Sequence, residues 1–360
     1  MQIEKWLLEA RRVTGKNYYR LVWELYYFAI VSGIIPEEYF RFRLYRPDIS
    51  AQKRRSFKGG RKFGKWIAAA IKRRNLQNQE TMDNKLLFAD FCSAHGVGAP
   101  DHLALYSNEP FKEDIKYLDQ FDVLRSISKL TKFLRNPRFY PIFGKPMDSE
   151  RALGSFGATH FEKSTDCLAF SDGRKIPAKE LAEEIVAKYG GGYLFQRHLK
   201  QHPILEKYFG SLPTIFRVNT VKQVGQKADI YFAWGKLSPK GHMSASAHAG
   251  ERYSAPFDFE SGRFSDLFSF YDFKFTRYQI YPETGMNCRG VEVPHWHHLR
   301  ERLPLMHDAL GDYPLLGWDI AITPTGPAIL ETNYMPGFNT SQQVLDIGIG
   351  DPSIRKIFKG

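Results

Sequence analysis

One stretch constrains this chain more than any other: Gly317-Trp318-Asp319-Ile320-Ala321-Ile322-Thr323, then Pro324-Thr325-Gly326-Pro327, then Ala328-Ile329-Leu330-Glu331-Thr332-Asn333. Two apolar runs flank a Pro/Gly cluster, which predicts a strand hairpin over 318–323 and 328–332. Alternation along a strand puts Glu331 and Asn333 on one face, and Asp319 on the partner strand can lie across from them. Ile320, Ile329 and Leu330 would turn towards a core, leaving the acids to line a cleft. Three oxygen-bearing side chains so placed suit Mg²⁺ carried by nucleotide phosphates. A solvated strand face is the plainer alternative.

A cation supports the cleft. Ile142-Phe143-Gly144-Lys145-Pro146 reads as a strand ending in a turn, with Lys145 a fixed positive charge at its end. Downstream, Gly154-Ser155-Phe156-Gly157-Ala158 reads as a glycine turn whose backbone amides can approach phosphate closely, although a surface hairpin explains that turn equally well. Around these pieces the sequence predicts helices over 85–95, 178–189 and 304–310. Strands are predicted over 193–195, 214–221 and 230–234. The order implies an α+β or α/β chain with mixed sheets rather than one doubly wound sheet.

The first 80 residues have a different texture. Apolar residues at helical spacing predict one helix over 1–35, stopped by Gly33 and Pro36. Its aromatics (Tyr18, Tyr19, Trp23, Tyr26, Tyr27, Phe28) form either a packed core stripe, the simpler reading, or a face that lies on a membrane. Between Lys53 and Arg74 lie eight further cations and no acid, which reads as a surface for phosphate or anionic lipid, or as a solvated helix face. Gly59 to Trp66 nearly spells a phosphate-binding loop, but Trp66 replaces the metal-binding hydroxyl and no strand leads into it.

The formal net charge of +12 favours anionic partners without choosing among them. No recognisable base-reading element is present, so a specific nucleic-acid partner is not expected. Cys92, Cys167 and Cys288 are scattered and odd in number, which predicts buried free thiols in a reducing cytoplasm. No leader opens the sequence, and the most apolar stretch, 21–35, carries Glu24 and is too short to span a bilayer. His295, His297 and His298 lack the companions of a zinc site. Ser155 lies in no nucleophile elbow.

Taken in order, these pieces resemble the ATP-grasp ligases: Asp83-Asn84-Lys85-Leu86-Leu87-Phe88 with its helix, the Phe143–Pro146 strand, the glycine turn, and the closing Asp319 with Glu331-Thr332-Asn333. The sequence is more closely similar to the sugar-transfer-associated ATP-grasp subgroup. That similarity lies in Thr214-Ile215-Phe216-Arg217-Val218-Asn219-Thr220, Tyr281-Pro282-Glu283-Thr284-Gly285, Val293-Pro294-His295-Trp296 and the run from Gly317 to Asn339.

The resemblance implies an ATP-grasp fold: two α+β lobes gripping ATP, with a helical, basic extension over 1–80. The ATP-grasp domain would span 81–345, with a mobile lid at 136–195, a large lobe at 200–345 and a tail at 346–360. Lys85 and Lys145 would contact nucleotide phosphates, and Ser155, Phe156, Gly157 and Ala158 would form a flexible phosphate loop. The hinge beside adenine would be Phe195 to Leu199, including Gln196, Arg197 and His198, with Glu206 as the ribose partner. Arg217 would neutralise the transferred phosphoryl, and Asp319, Glu331 and Asn333 would hold Mg²⁺. Ser244 to Gly250 stands where a polar, glycine-rich substrate stretch is expected.

The implied reaction joins a small-molecule or sugar-linked carboxylate to an amine through an acyl-phosphate, in surface-polysaccharide modification. The expected location is the cytoplasm, with the basic N-terminal region offering peripheral contact at the inner face of the cell membrane. Two alternatives stay open. One is kinase-like transfer to a hydroxyl. The other is a non-enzymatic module that binds anionic polymer or lipid through the basic segment.

Overall fold

The computed structural model describes residues 2–74, 76–108, 121–147, 153–237, 252–271 and 274–358. The expected substrate stretch at 244–250 lies outside them.

The predicted N-terminal helix is two helices, α1 (Gln2–Thr14) and α2 (Tyr18–Ser32). Gly15 breaks it with a left-handed φ of 69°, and the Asn17 side chain then caps α2 by accepting the Arg20 amide. Glu24, the one acid in this apolar stretch, is buried. It accepts hydrogen bonds from Lys16 at 2.8 Å and the Tyr39 hydroxyl at 2.5 Å. Helices α3 (Pro36–Arg41), α4 (Ala51–Ser56) and α5 (Gly60–Lys72) follow. Gly59 and Gly60 open a helix after another helix, as the rejection of a phosphate loop there requires.

Most of the basic run bonds inward. Lys53 pairs with Asp346 at 2.6 Å, and Lys62 donates to the Val31 carbonyl at the end of α2 at 2.8 Å. Arg73 and Arg74 donate to the carbonyls of Phe358 and Ile357. Charges that look like a solvent face in the sequence thus terminate a helix and tie down residues 346–358. Arg61, Lys65 and Lys72 remain exposed.

After α6 (Gln79–Asp83) and α7 (Lys85–Ala94) the chain builds a first seven-stranded sheet. Its strands are β1 (His102–Tyr106), β2 (Asp122–Leu124), β3 (Ile142–Pro146), β4 (Phe156–Glu162), β5 (Cys167–Phe170), β6 (Lys175–Pro177) and β7 (Tyr193–Arg197). They lie in the order β2-β1-β7-β3-β4-β5-β6, so the span expected as a lid shares its sheet with β1 and β2. Helices α8 (Ile127–Leu134) and α9 (Ala178–Lys188) bury Leu130, Leu134, Leu181 and Ile185 in one cluster with its strands. Cys92 and Cys288 are buried as expected, but Cys167 on β5 is half-exposed and donates to the Thr165 carbonyl.

Beyond α10 (Pro203–Phe209) comes an antiparallel sheet of seven strands in the order β12-β11-β10-β9-β8-β13-β14. Its strands are β8 (Ile215–Val221), β9 (Asp229–Lys236), β10 (Tyr253–Pro256), β11 (Leu267–Tyr271), β12 (Lys274–Tyr278), β13 (Leu315–Thr323) and β14 (Gly326–Asn333). Helix α11 (Trp296–Leu310) packs on it and starts earlier than expected, carrying Pro304 inside. A buried polar chain fixes that packing. The Trp318 indole donates to the Thr220 hydroxyl at 2.8 Å, Thr220 meets His307 Nδ1 at 2.7 Å, and His307 Nε2 meets the Tyr313 carbonyl at 2.9 Å. Because the Tyr313 carbonyl can only accept, Nε2 carries the ring proton, and Nδ1 of the neutral ring accepts from the Thr220 hydroxyl. Burial pushes His307 down to about 4, so the ring stays neutral.

Helix α12 (Asn339–Leu345), α13 (Pro352–Arg355) and a short 3₁₀ turn follow β14. Residues 346–358 are no loose tail. Ile349, Ile354, Ile357 and Phe358 are buried with Phe63 and Ile67 of α5.

Candidate active site

The hairpin forms with a bulge that decides which side chains face the cleft. Asp319 lies opposite Glu331, but Ile320 lies opposite Ile329, so Leu330 is the extra residue on β14. Strict alternation would put Ile329 on the face of Glu331. The bulge sends Ile329 into the core, fully buried, and leaves Glu331 exposed. Across the sheet, Trp234, Arg217, Asp319 and Glu331 stand in one register row on β9, β8, β13 and β14.

Arg217 holds Asp319 at two points, Nε to Oδ1 at 2.6 Å and Nη2 to Oδ2 at 2.9 Å. Lys236, two residues past Trp234 and on the same face, adds contacts of 3.4 and 3.3 Å to the same two oxygens. Burial pushes the Asp319 carboxyl up, but Lys236 and Arg217 outweigh it and hold the group below the usual carboxylate range. Burial also lowers Lys236, and Asp319 offsets only part of that. Lys236 was not foreseen, although it ends an apolar strand just as Lys145 does.

Lys145 sits at the end of β3 opposite Leu194 of β7. Burial, and then the charge of Lys85, push its ammonium down to about 8, with Glu331 pulling the other way. Lys85 reaches it from the first turn of α7, where the Asn84 side chain caps the helix and Lys85 Nζ donates to the Met147 carbonyl. The two lysines and the hairpin acids therefore face one cleft. The loop after α7 is locked to β14 by Gly98, whose amide donates to Pro327 and whose carbonyl accepts from Ile329.

The glycine turn needs correction. Phe156, Gly157 and Ala158 are ladder residues of β4, opposite Gly144, Phe143 and Ile142, and only Ser155 precedes the strand. Phe156 packs its ring near Tyr193 and Phe170. In the segment expected to be the hinge, Gln196 is buried opposite Phe143, on the face of Lys145. The amides of Arg197 and His198 are spent on the carbonyls of Asp101 and Pro141, and Leu199 is half-buried. Glu206 is exposed on α10, and its carboxylate makes no hydrogen bond or ion pair among the described residues.

The residues present fit a magnesium nucleotide. Four cations, Lys85, Lys145, Arg217 and Lys236, confront two carboxylates, an excess of positive charge that an anion would balance. Asp319 is neutralised by its cations, whereas Glu331 is exposed, and among the described residues its hydrogen-bond partner is the Asn333 amide at 3.3 Å. Glu331 and Asn333 are thus the oxygen donors at hand for a metal whose other ligands would be phosphate oxygens.

The model of the sugar-transfer associated ATP-grasp family matches residues 71–352. The chain belongs to that family. ATP-grasp enzymes use ATP and Mg²⁺, and the two-sheet α+β architecture described above is this family's fold in the present chain. A search among curated proteins finds no match. Among solved structures, an L-amino acid ligase from Bacillus licheniformis is 10% identical, with a TM-score of 0.40 over 79% of this chain and 49% of that one. D-alanyl-alanine synthetase A from Vibrio cholerae is 13% identical, with 0.41 over 77% and 64%. A biotin carboxylase from Campylobacter jejuni is 10% identical, with 0.43 over 79% and 48%. The chain spans about half the length of the first of these.

Proposed function

We propose that this ATP-grasp enzyme is an ATP- and Mg²⁺-dependent ligase that joins a carboxylate to an amine through an acyl-phosphate. The observation that carries the reading is the register row Arg217–Asp319–Glu331, with Lys236 beside it and Lys145 facing it from the other sheet. When bound, ATP would supply the phosphoryl group that activates the carboxylate, the amine would then displace that group as phosphate, and Mg²⁺ would supply charge neutralisation at the phosphates. The chain's own residues position and neutralise. Lys85 and Lys145 hold phosphate oxygens, Glu331 and Asn333 hold the metal, and Gln196 to Leu199 border the base, with Glu206 towards the ribose. Arg217 and Lys236, oriented by Asp319, receive the substrate carboxylate. No nucleophilic side chain is required. Closure of the segment 136–195 over the cleft would keep water from the activated acid.

The family's association with sugar transfer supports a role in polysaccharide modification, with a sugar-linked amine as acceptor of a small-molecule carboxylate. Contact with an anionic membrane surface is part of the same reading, moved from the basic run to α2. There Tyr19, Trp23, Tyr26 and Ile30 stand 63–88% exposed at helical spacing. Among the described residues no helix is long and apolar enough to cross a membrane.

Calorimetric titration with a non-hydrolysable ATP analogue, with and without Mg²⁺, tests the site. Wild type should bind in a Mg²⁺-dependent way, and Glu331→Ala should lose on the order of tenfold in affinity, equivalent to about 1.4 kcal/mol. Absence of binding to wild type under both conditions removes the ligase reading. Release of ADP with a phosphorylated hydroxyl and no amide by mass spectrometry would replace it with a kinase.

A further inference from the structure

Helix α5 lies almost wholly before the span that the family shares, which begins at residue 71. It nevertheless forms one wall of a cavity of about 420 Å³ whose other side carries Arg217, Lys236 and Trp234. That volume is in the range of small-molecule sites. We propose that this cavity seats the body of the carboxylate substrate, and that α5 selects a compact, uncharged and largely apolar body. The proposal deepens the ligase reading and rests on it.

Three observations carry it. First, the charge is one-sided. Arg217 and Lys236 line the cavity and share the single carboxylate Asp319, while none of the described lining residues is acidic. An anionic head is attracted there, and an ammonium group on the body would find no partner. Secondly, the α5 wall is apolar: Phe63 and Ile67 line it, facing Trp234. A polyhydroxylated body would leave its hydroxyl groups poorly satisfied against these side chains. Thirdly, Gly64 lines the cavity from the interior of α5, where glycine costs about 1 kcal/mol relative to alanine. A Cβ built at Gly64 meets nothing within 4 Å, so the missing side chain leaves open room rather than making a close backbone contact.

The wall is also firmly held. Glu38 accepts hydrogen bonds from the Gly60 amide at 2.9 Å and from Asn339 at 2.7 Å. Phe63 packs its ring against Phe338 at 5.2 Å and Phe358 at 5.7 Å. A selector must keep its shape, and this one is fixed to both α3 and the segment after β14.

The test uses the full chain, without nucleotide, and follows phenylacetate and gluconate as probe carboxylates by ligand-observed NMR. Wild type should bind phenylacetate at least fivefold more tightly than gluconate. Gly64→Leu should weaken phenylacetate at least tenfold, and Gly64→Ala by a smaller factor in the same direction. Calorimetry with the ATP analogue should be unchanged in both variants. Equal binding of the two probes by wild type overturns the proposal, as does undiminished phenylacetate binding by folded Gly64→Leu. If that variant fails to fold, undiminished binding by Gly64→Ala overturns it equally. Loss of analogue binding in wild type would refute the ligase reading instead, because the probe measurement needs no nucleotide.

Discussion

Asp319 gives both of its carboxylate oxygens to Arg217, at 2.6 and 2.9 Å, with each of the two side chains only 13% exposed. A pair so buried is costly to form and more costly to halve. Asp319→Ala leaves Arg217 and Lys236 charged and without their carboxylate, and should lower the unfolding free energy by about 3–5 kcal/mol. Adding Arg217→Met and Lys236→Met should recover part of that loss. Urea denaturation of the single and triple variants decides it. A loss below about 1 kcal/mol for Asp319→Ala would mean that water already screens the pair.

Lys145 couples phosphate binding to pH. Its ammonium loses its proton near pH 8 in the free protein, against an ordinary value of 10.5. A phosphate beside it favours the charged form, so binding above pH 8 must take up a proton and should weaken as pH rises. Titrations of the ATP analogue at pH 8.5, in buffers of different ionisation heat, should show that uptake. Lys145→Met should abolish it, and identical heats in both buffers for wild type would contradict the assignment. The stability term has a definite sign. With the folded value below the unfolded one, the chain gains stability as pH climbs from about 8 towards 10.5.

The proposed lipid contact separates α2 from the basic run. Trp23→Ser combined with Tyr26→Ser should reduce co-sedimentation with phosphatidylserine-containing vesicles several-fold, because each ring forfeits about 1.5–3 kcal/mol of apolar transfer. Lys53→Glu should instead lower the melting temperature, since Lys53 pairs with Asp346 at 2.6 Å. Vesicle binding that follows Lys53 and ignores Trp23 would move the contact back to the basic segment.

Gly64→Ala should raise stability while it disturbs the cavity. The backbone there is helical and the added methyl meets no atom within 4 Å, so a gain of about 0.5–1 kcal/mol is expected in urea denaturation. A destabilised variant would show that α5 is packed more closely at that point than the structure has it.

The local parts of the site were legible in the sequence. The hairpin and the Lys145 strand sit on short runs marked by their own turn residues. Alternation alone, however, puts Ile329 on the face of Glu331, and only the bulge at Leu330 sends it to the core. What was missed depends on distant partners. Lys236 carried the same signal as Lys145, a cation ending an apolar strand, but its importance appears only once β9 lies beside β8. Phe156 to Ala158 look like a turn until Ile142 to Gly144 arrive to pair with them. The basic run looks like a surface because nothing local reveals which carbonyls it meets, and those carbonyls lie as far away as Ile357 and Phe358. Helical periodicity across 1–35 hides the break at Gly15, where the deciding variable is a left-handed φ rather than hydrophobicity.

The ring contacts of Phe63 with Phe338 and Phe358 give the cavity a birth date. A ribosome that has synthesised both sheets and all of α5 has still not made the rings against which that helix rests. The nascent chain must therefore carry a partly backed wall, its Phe63 lacking both of these ring partners, until residues 338–358 emerge. Chaperone capture of stalled chains should stop sharply once residue 358 has cleared the exit tunnel.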